Sequence, residues 1–270
     1  MGFLKVDKMD NYRNDNTARR YKAHVSILGT TQLHLRNPYI IAWWSAAFPG
    51  FGHLLLFKYI RGYALFIWEV VVNLKANVNL SMIYSFQGNI DMAKAVLDTR
   101  WLLMYIPVYL FGIWDSYRTT VDMNKIYLLA EREEHRFNSF SLGALEINYL
   151  DKRNPLLSVM WSLFVPGLGQ LYIHRVLTAI FVIVWLVVFY YQSHFQEAVI
   201  LLFWGKIKEA TSVINPEWLL FIPSHFGFAA YDSYMNTVEN NKLFDKELRQ
   251  YLTRHYQPDG FRIRKEQKVK

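Results

Sequence analysis

The sequence predicts an all-α integral membrane protein built by tandem duplication. Each repeat is expected to hold a short broken helix plus two transmembrane helices, with amphipathic interfacial and cytoplasmic helices attached. Three observations carry this reading: a self-match in one register, apolar runs of membrane-spanning length, and a lopsided distribution of Lys and Arg.

The self-match runs at a constant offset of 117 residues without a gap. Arg36-Asn37-Pro38 falls on Arg153-Asn154-Pro155, and Pro49-Gly50 with Gly52 falls on Pro166-Gly167 with Gly169. Trp44-Ser45, Trp68 and Trp101 fall on Trp161-Ser162, Trp185 and Trp218. Asp115-Ser116-Tyr117 falls on Asp232-Ser233-Tyr234, and Asn124-Lys125 on Asn241-Lys242. One register held across Trp, Gly, Pro and Asp is the signature of an internal repeat. It divides the chain into a polar segment over 1–36, repeat 1 over 37–135, a linker over 136–153, repeat 2 over 154–257 and a basic tail over 258–270.

Composition narrows the function classes. The 270 residues are 53 % apolar and carry a net charge of +8 with only 19 % charged residues, so the basic charge must be concentrated. There is no Cys, which excludes disulfides, thiolate metal sites and thiolate nucleophiles. No apolar stretch of a secretory signal stands near the first residue.

Taken in order, residues 1–22 are charged and Asn-rich and read as a solvated tail. Alternating apolar residues around Gly29 predict a short strand pair or turn element over 24–35, and a similar piece recurs around Gly143 over 140–150. A short helix is expected over 39–48, ended by Pro49-Gly50, because proline and glycine disrupt a helix interior. Ten residues rise about 15 Å, too little for a hydrocarbon core of ~30 Å. A longer helix is expected from near Gly52 to Leu74, and its counterpart from Leu171 to Tyr191 is apolar over about 20 residues, the length a span requires. Residues 76–100 and 193–217 mix polar residues with apolar ones at helical intervals and read as interfacial, turning at Gly88 and Gly205. The last spans are expected over 101–114 and 218–231, with Trp and Tyr at their ends as interfacial anchors. Polar helices follow over 118–135 and 235–255.

Lys and Arg set sidedness. Residues 1–36, 116–153 and 233–270 hold 22 of them, against 4 in the two interfacial segments. With all three basic segments in the cytoplasm, each repeat crosses an even number of times. That gives four spans, parallel repeats, and both termini cytoplasmic in a multi-pass cell-membrane protein. The competing arrangement has three spans per repeat and inverted repeats.

The candidate site residues are Pro49, Gly50, Gly52, Lys58, Arg61, Glu69, Asp115, Pro166, Gly167, Gly169, Arg175 and Asp232. The Pro-Gly-x-Gly breaks permit close helix packing, or expose N–H groups to an anion such as a lipid phosphate, with Lys58, Arg61, His174 and Arg175 nearby. Asp115 can pair with Lys58 or Arg61, and Asp232 with Arg175; an ion-coupling role is the alternative. Glu69 lies inside an apolar run and its counterpart is Leu186, so it is either packed against a polar neighbour or functional, in one copy only. The eight His residues form no metal-ligand spacing, and no nucleophile elbow, phosphate loop or dinucleotide fingerprint occurs. No catalytic residue, cofactor or metal is therefore expected.

The arrangement resembles the TM2-type two-span membrane domain, in which a Gly-x-Gly break precedes the first span and an acidic residue follows aromatics near the end of the second. Gly50, Gly52 and Asp115 occupy those positions in repeat 1, and Gly167, Gly169 and Asp232 in repeat 2. The resemblance implies a duplicated two-span module with no shared catalytic activity. The sequence reading is thus a non-enzymatic interaction, scaffold or accessory subunit of a membrane complex. Its expected partners are anionic lipid headgroups beside the basic tail, a protein bound through the cytoplasmic helices, and further copies of itself; nucleic acid is not expected. A small transporter or lipid-handling protein using the broken helices and Glu69 is the alternative.

Overall fold

The computed structural model describes residues 19–133 and 137–257. The tail over 1–18, His135 and the basic tail over 258–270 lie outside the described residues. The protein is mostly helical. Repeat 1 runs β1 (Ala23–Ser26), β2 (Gly29–Gln32), α1 (Pro38–Ala47), α2 (Phe51–Leu55), α3 (Tyr59–Ala76), α4 (Val78–Phe86), α5 (Ile90–Val96) and α6 (Thr99–Glu133). Repeat 2 runs β3 (Phe140–Leu142), β4 (Ile147–Tyr149), α7 (Pro155–Phe164), α8 (Leu168–Tyr172), α9 (Val176–Ser193), α10 (Phe195–Phe203), α11 (Ile207–Val213), α12 (Pro216–Leu219) and α13 (Phe221–Tyr256).

The backbone repeats as closely as the sequence does. Each helix from α1 to α5 starts and ends 117 residues before its counterpart from α7 to α11. Left-handed residues recur in the same register: Gly50 and Gly167, Phe57 and His174, Asn77 and His194, Gly88 and Gly205. The caps recur too. Asn37 and Asn154 accept from Tyr39 N and Leu156 N, each with proline at the first helical position.

Two expectations need correction. The helix drawn from near Gly52 to Leu74 is two helices, α2 and α3, and α9 likewise begins at Val176 rather than Leu171. In repeat 1, Lys58 N donates to His53 O at 2.9 Å around Phe57 at φ +59°; in repeat 2, Arg175 N donates to Gln170 O at 2.8 Å around His174 at φ +57°. This is a Schellman stop built on a bulky residue where glycine is usual, so the sequence carries no flag for it. The span over 101–114 and the polar helix after it are, in contrast, one helix of 35 residues. In α13 the corresponding stretch is 36 residues, set off from α12 at Leu220.

Among the described residues one helix, α9, is long and apolar enough to cross a membrane by itself; α5 and α6 pass the same test as a pair but meet at 90°. The other expected spans carry more polar residues: α3 includes Arg61, Glu69 and Lys75, the first half of α6 includes Arg100 and Asp115, and that of α13 includes Ser224, His225, Asp232 and Ser233.

The helices order themselves between two ends. At one end both β hairpins and the polar halves of α6 and α13 meet. Asn148 Nδ2 donates to Ser26 O at 2.7 Å, Gln32 Nε2 to Asn240 Oδ1 at 2.7 Å, and Arg20 Nη1 to Glu133 Oε1 at 2.6 Å. Glu131 accepts from both Lys22 and Lys246. The same clasp ties each repeat to its preface: Asn124 and Asn241 accept from Arg36 N and Arg153 N at 3.0 and 2.9 Å. The long helices therefore point the same way, and the repeats are parallel. At the opposite end lie α4, α5, α10 and α11, held where Asp98 N donates to Ala76 O and Asn215 N to Ser193 O.

Between the ends, repeat 1 drives an aromatic wedge into repeat 2. Phe51 stacks on Phe228 at 4.1 Å, Tyr63 on Phe181 at 4.3 Å, and Phe66 meets Trp185 at 4.8 Å. Phe51, Phe66, Phe189 and Phe228 are wholly buried. The wedge enters the groove between α9 and α13.

Candidate functional site

The Pro-Gly breaks sit inside the fold. Tyr109 Oη donates to Ala46 O at 2.5 Å, and Arg36 reaches the carbonyl of Leu55, so α1 enters and α2 leaves at the same end. A Cβ on Gly52 would meet the Ser45 hydroxyl and stand 2.6 Å from Ile41 O. A Cβ on Gly50, at φ +101°, would stand 2.9 Å from Phe66 N. Gly169 is equally hemmed in by Ser162 and Ser158, and Gly167 by Ile183 and Ala179 O. The glycines thus let α1, α2, α3 and α6 approach at backbone distance in repeat 1, and their counterparts do so in repeat 2. Pro49 and Pro166 precede them where the chain is extended at Phe48 and Val165. The first amide after each break is already used: Phe51 N donates to Phe48 O at 3.2 Å and Leu168 N to Val165 O at 3.1 Å.

Each repeat closes on an aspartate, but the two nodes differ. Asp115 Oδ2 receives Arg61 Nη1 at 2.9 Å and faces His53 Nε2 at 3.1 Å. Lys58, the other candidate partner, makes no ion pair with it. The Arg61 side chain is 58 % exposed, so this node opens to the outside. In repeat 2 Asp232 pairs with Arg175, and Gln170 Nε2 and Asn236 Nδ2 donate to it at 3.2 and 2.9 Å. Arg175 is stacked 4.8 Å over the Phe57 ring, whose own neighbour is Arg36 at 5.1 Å. With side chains 2 % and 0 % exposed, Arg175 and Asp232 are sealed in by repeat 1. Gln170 is the counterpart of His53, but Arg175 is the counterpart of Lys58, and Thr178 stands where repeat 1 has Arg61.

Glu69 lies buried on α3 in a polar chain found only in repeat 1. Asn73 Nδ2 and Tyr105 Oη both donate to its Oε1, at 3.0 and 3.1 Å. Asn73 also bonds Asn79, whose Nδ2 donates to Glu217 O at 2.9 Å in repeat 2. Glu69 Oε2 has no hydrogen-bond partner among the described residues. The counterparts of Glu69, Asn73 and Tyr105 are Leu186, Tyr190 and Ile222.

At the polar end the Lys22–Glu131–Lys246 cluster fixes a charge state. Burial alone would raise Glu131, yet the two ammonium groups outweigh it and hold the carboxyl at about 2. His34, buried beside Arg36, is lowered to about 3 and is neutral where it faces Glu239 at 3.7 Å.

Sequence reasoning missed His53, Tyr105 and Asn73. The first had a signal, because His53 and Gln170 share a register and both can donate to a carboxylate. The others had none. No group of three or more His, Asp or Glu able to hold a metal occurs among the described residues. No protein-family model, curated protein or solved structure matches this chain.

Proposed function

We propose that the chain is a four-span membrane protein that serves as a non-enzymatic interaction or scaffold subunit, with its polar end in the cytoplasm. One observation carries this reading: segments rich in Lys and Arg are bonded into a single platform at one end of the helices, through Lys22, Glu131, Lys246, Lys152 and Asp245. Positive charge collected on one face of a helical protein follows the rule that orients membrane proteins. The spans are α3, α6, α9 and the first half of α13, with α1–α2 and α7–α8 as re-entrant pairs. At 1.5 Å per residue α3 and α9 are about 27 Å long, close to the ~30 Å core. The helix α6 is about 52 Å by the same rise, so its polar half projects well past the bilayer.

The projecting halves of α6 and α13 expose apolar side chains on otherwise polar helices. Leu128, Leu129, Leu248, Tyr251 and Leu252 are all at least 40 % exposed. A helical or apolar protein segment is the partner such faces suit. The reading agrees with the resemblance to a duplicated two-span module, for which no catalytic role is implied.

A second reading, a transporter or lipid-handling protein, is favoured by the unpaired Glu69 Oε2. An unsatisfied buried carboxylate oxygen in a span is a candidate proton or cation site.

Topology is tested by single cysteines in the Cys-free chain. Gly88→Cys should react in intact cells with a membrane-impermeant thiol reagent, and Ser139→Cys only after permeabilisation. Labelling of Ser139→Cys from outside would overturn the topology. The partner is tested by photo-crosslinking from position 252 in cells. A defined heterologous protein band supports the scaffold reading, and its absence together with solute flux in liposomes that Glu69→Gln abolishes supports the second.

A further inference from the structure

The duplication leaves one groove filled and its twin open. In repeat 2 the cleft between α9 and α13 is occupied by the aromatic wedge of repeat 1. The equivalent cleft of repeat 1, between α3 and α6, holds no protein and forms an open groove of ≈ 480 Å³. Its walls are Ala64 and Leu65 on one side and Phe111 and Trp114 on the other. Arg61 and Arg118 stand at its polar end, with side chains 58 % and 60 % exposed.

We propose that this groove seats one phospholipid with an anionic headgroup, its phosphate between Arg61 and Arg118 and one acyl chain along Ala64, Leu65 and Phe111. The proposal rests on the membrane reading above and names a ligand for one face of it.

Charge complementarity supports this occupant. Arg61 uses one nitrogen on Asp115, whose side chain is only 5 % exposed, and the rest of its fork faces out. Arg118 lies 5.2 Å over the Trp114 ring, which holds its guanidinium at the mouth. Its only carboxylate among the ion pairs, Asp122, is 3.9 Å away and itself exposed. Two guanidiniums with free donors match a phosphate better than any neutral partner. They also sit at the end where the platform would meet the anionic cytoplasmic leaflet.

The sister repeat argues the same way. Where repeat 1 has Arg61, Ala64 and Arg118, repeat 2 has Thr178, Phe181 and Met235. Both charges and the small residue thus occur only in the groove left open. A second copy of the chain suits it less. The residues equivalent to the wedge are Leu168, Ile180 and Ile183 in repeat 2, and docking them would bury two arginines against apolar side chains.

The test uses the full chain purified in mild detergent, with native mass spectrometry in the presence of dioleoyl phosphatidylglycerol or dioleoyl phosphatidylcholine. Wild type should retain one phosphatidylglycerol per chain, about tenfold more tightly than phosphatidylcholine, a preference equivalent to one charge-assisted contact. Arg118→Gln should bring the two lipids to parity, and Ala64→Trp should reduce retention of both. Circular dichroism and monodispersity confirm that each variant folds; if Ala64→Trp does not, Arg118→Gln alone decides. Equal retention of both lipids by wild type, or an Arg118→Gln preference that matches wild type, would overturn the proposal. So would a benzophenone at position 111 that crosslinks to another copy of the chain instead of to lipid. Release of the chain from membranes by alkaline carbonate would overturn the membrane reading, and the proposal with it; retention without lipid preference overturns the proposal alone.

Discussion

Replacing Arg175 by Met should destabilise the protein far more than replacing Arg61 by Met, although both arginines pair with the aspartate that closes their repeat. The difference is burial. Arg175→Met leaves Asp232, 0 % exposed, with Gln170 and Asn236 but no cation bonded to it. Removing one partner of a buried pair costs about 3–5 kcal/mol, because the remaining charge has neither water nor a counter-charge. Arg61 is 58 % exposed and Asp115 5 % exposed, so only the cation of this pair stands in solvent, and its loss leaves Asp115 still bonded to His53 at 3.1 Å. With the cation screened by solvent and His53 left as a partner, the loss lies nearer the ~0–1 kcal/mol of exposed pairs than that of a sealed pair. For a chain of this size ~1 kcal/mol shifts the melting temperature by about 2–4 °C. Arg175→Met should therefore lower the midpoint by at least about 6 °C, and Arg61→Met by no more than about 4 °C. The assay is thermal unfolding in detergent followed by tryptophan fluorescence at one fixed scan rate. Adding Asp232→Leu to Arg175→Met should recover part of the loss, since an apolar pair of similar volume removes the stranded charge. Equal shifts for the two single variants, or a double variant worse than Arg175→Met, would refute the assignment of one node as sealed and the other as open.

Three further outcomes follow from the same geometry. Gly52→Ala and Gly169→Ala should each cost about 1–3 kcal/mol by overpacking, whereas Gly112→Ala should be neutral or stabilising because its nearest neighbour would be Leu65 Cδ1 at 3.8 Å; melting midpoints separate the two groups. Tyr105→Phe should cost about 1.5–3 kcal/mol through the lost hydrogen bond to Glu69, and Glu69→Leu, which copies repeat 2, should make Tyr105→Phe nearly silent in a double-mutant cycle. The Glu131 carboxyl falls from its usual 4.5 to about 2, so its contribution is present above pH ~4.5 and is lost as the pH drops toward 2. Its side chain is 39 % exposed, so screening leaves about 1 kcal/mol of the full shift. The melting gap between wild type and Glu131→Gln should be flat from pH 7 to 5.5 and close between pH 4.5 and 2.5.

Much of the backbone was legible because duplication repeats its own punctuation. Asn-Pro marks where α1 and α7 begin, Pro-Gly where they end, and Gly88 and Gly205 the turns between the short helices. These signals are local, and each acts through a backbone angle or a missing donor. The stops at Phe57 and His174 were not legible, because a left-handed bulky residue is set by the packing around it: Phe57 lies between the guanidiniums of Arg36 and Arg175. The continuous α6 was hidden by Asp115-Ser116-Tyr117, a polar triplet that reads as a boundary. In the fold, Ser116 Oγ and Thr120 Oγ1 satisfy themselves on carbonyls of their own helix, at 2.9 and 2.7 Å, and the helix continues. At the site, the paired aspartates were legible but the choice of cation was not. Arg61 and Lys58 lie three residues apart on one chain, and only the fold decides which of them reaches Asp115.

Some differences between the repeats fall where the repeats meet and others do not, and that contrast separates structural from functional positions. Gly50, Gly52, Ser45, Asp115 and Asn124 have identical counterparts, and all of them hold a single repeat together. The wedge residues Phe51, Tyr63 and Phe66 become Leu168, Ile180 and Ile183, as expected when only one copy inserts into the other. These two groups account for the fold without reference to function. Glu69, Asn73 and Tyr105 belong to neither, because α3 and α6 pack against each other without needing a buried carboxylate; α9 and α13 have Leu186, Tyr190 and Ile222 at these places. Arg61 and Arg118 belong to neither as well, since Asp115 keeps His53 without Arg61 and Arg118 pairs only loosely. If packing alone had shaped repeat 1, the triple replacement Glu69→Leu/Asn73→Tyr/Tyr105→Ile and the single replacement Arg118→Met, each restoring the residues of repeat 2, should leave stability unchanged or improved, and the crosslink from position 252 and lipid retention should be as before. The expected outcome is unchanged or raised stability together with a lost crosslink from position 252 or lost anionic-lipid retention in at least one of the two. Loss of stability in both would return these residues to the structural class.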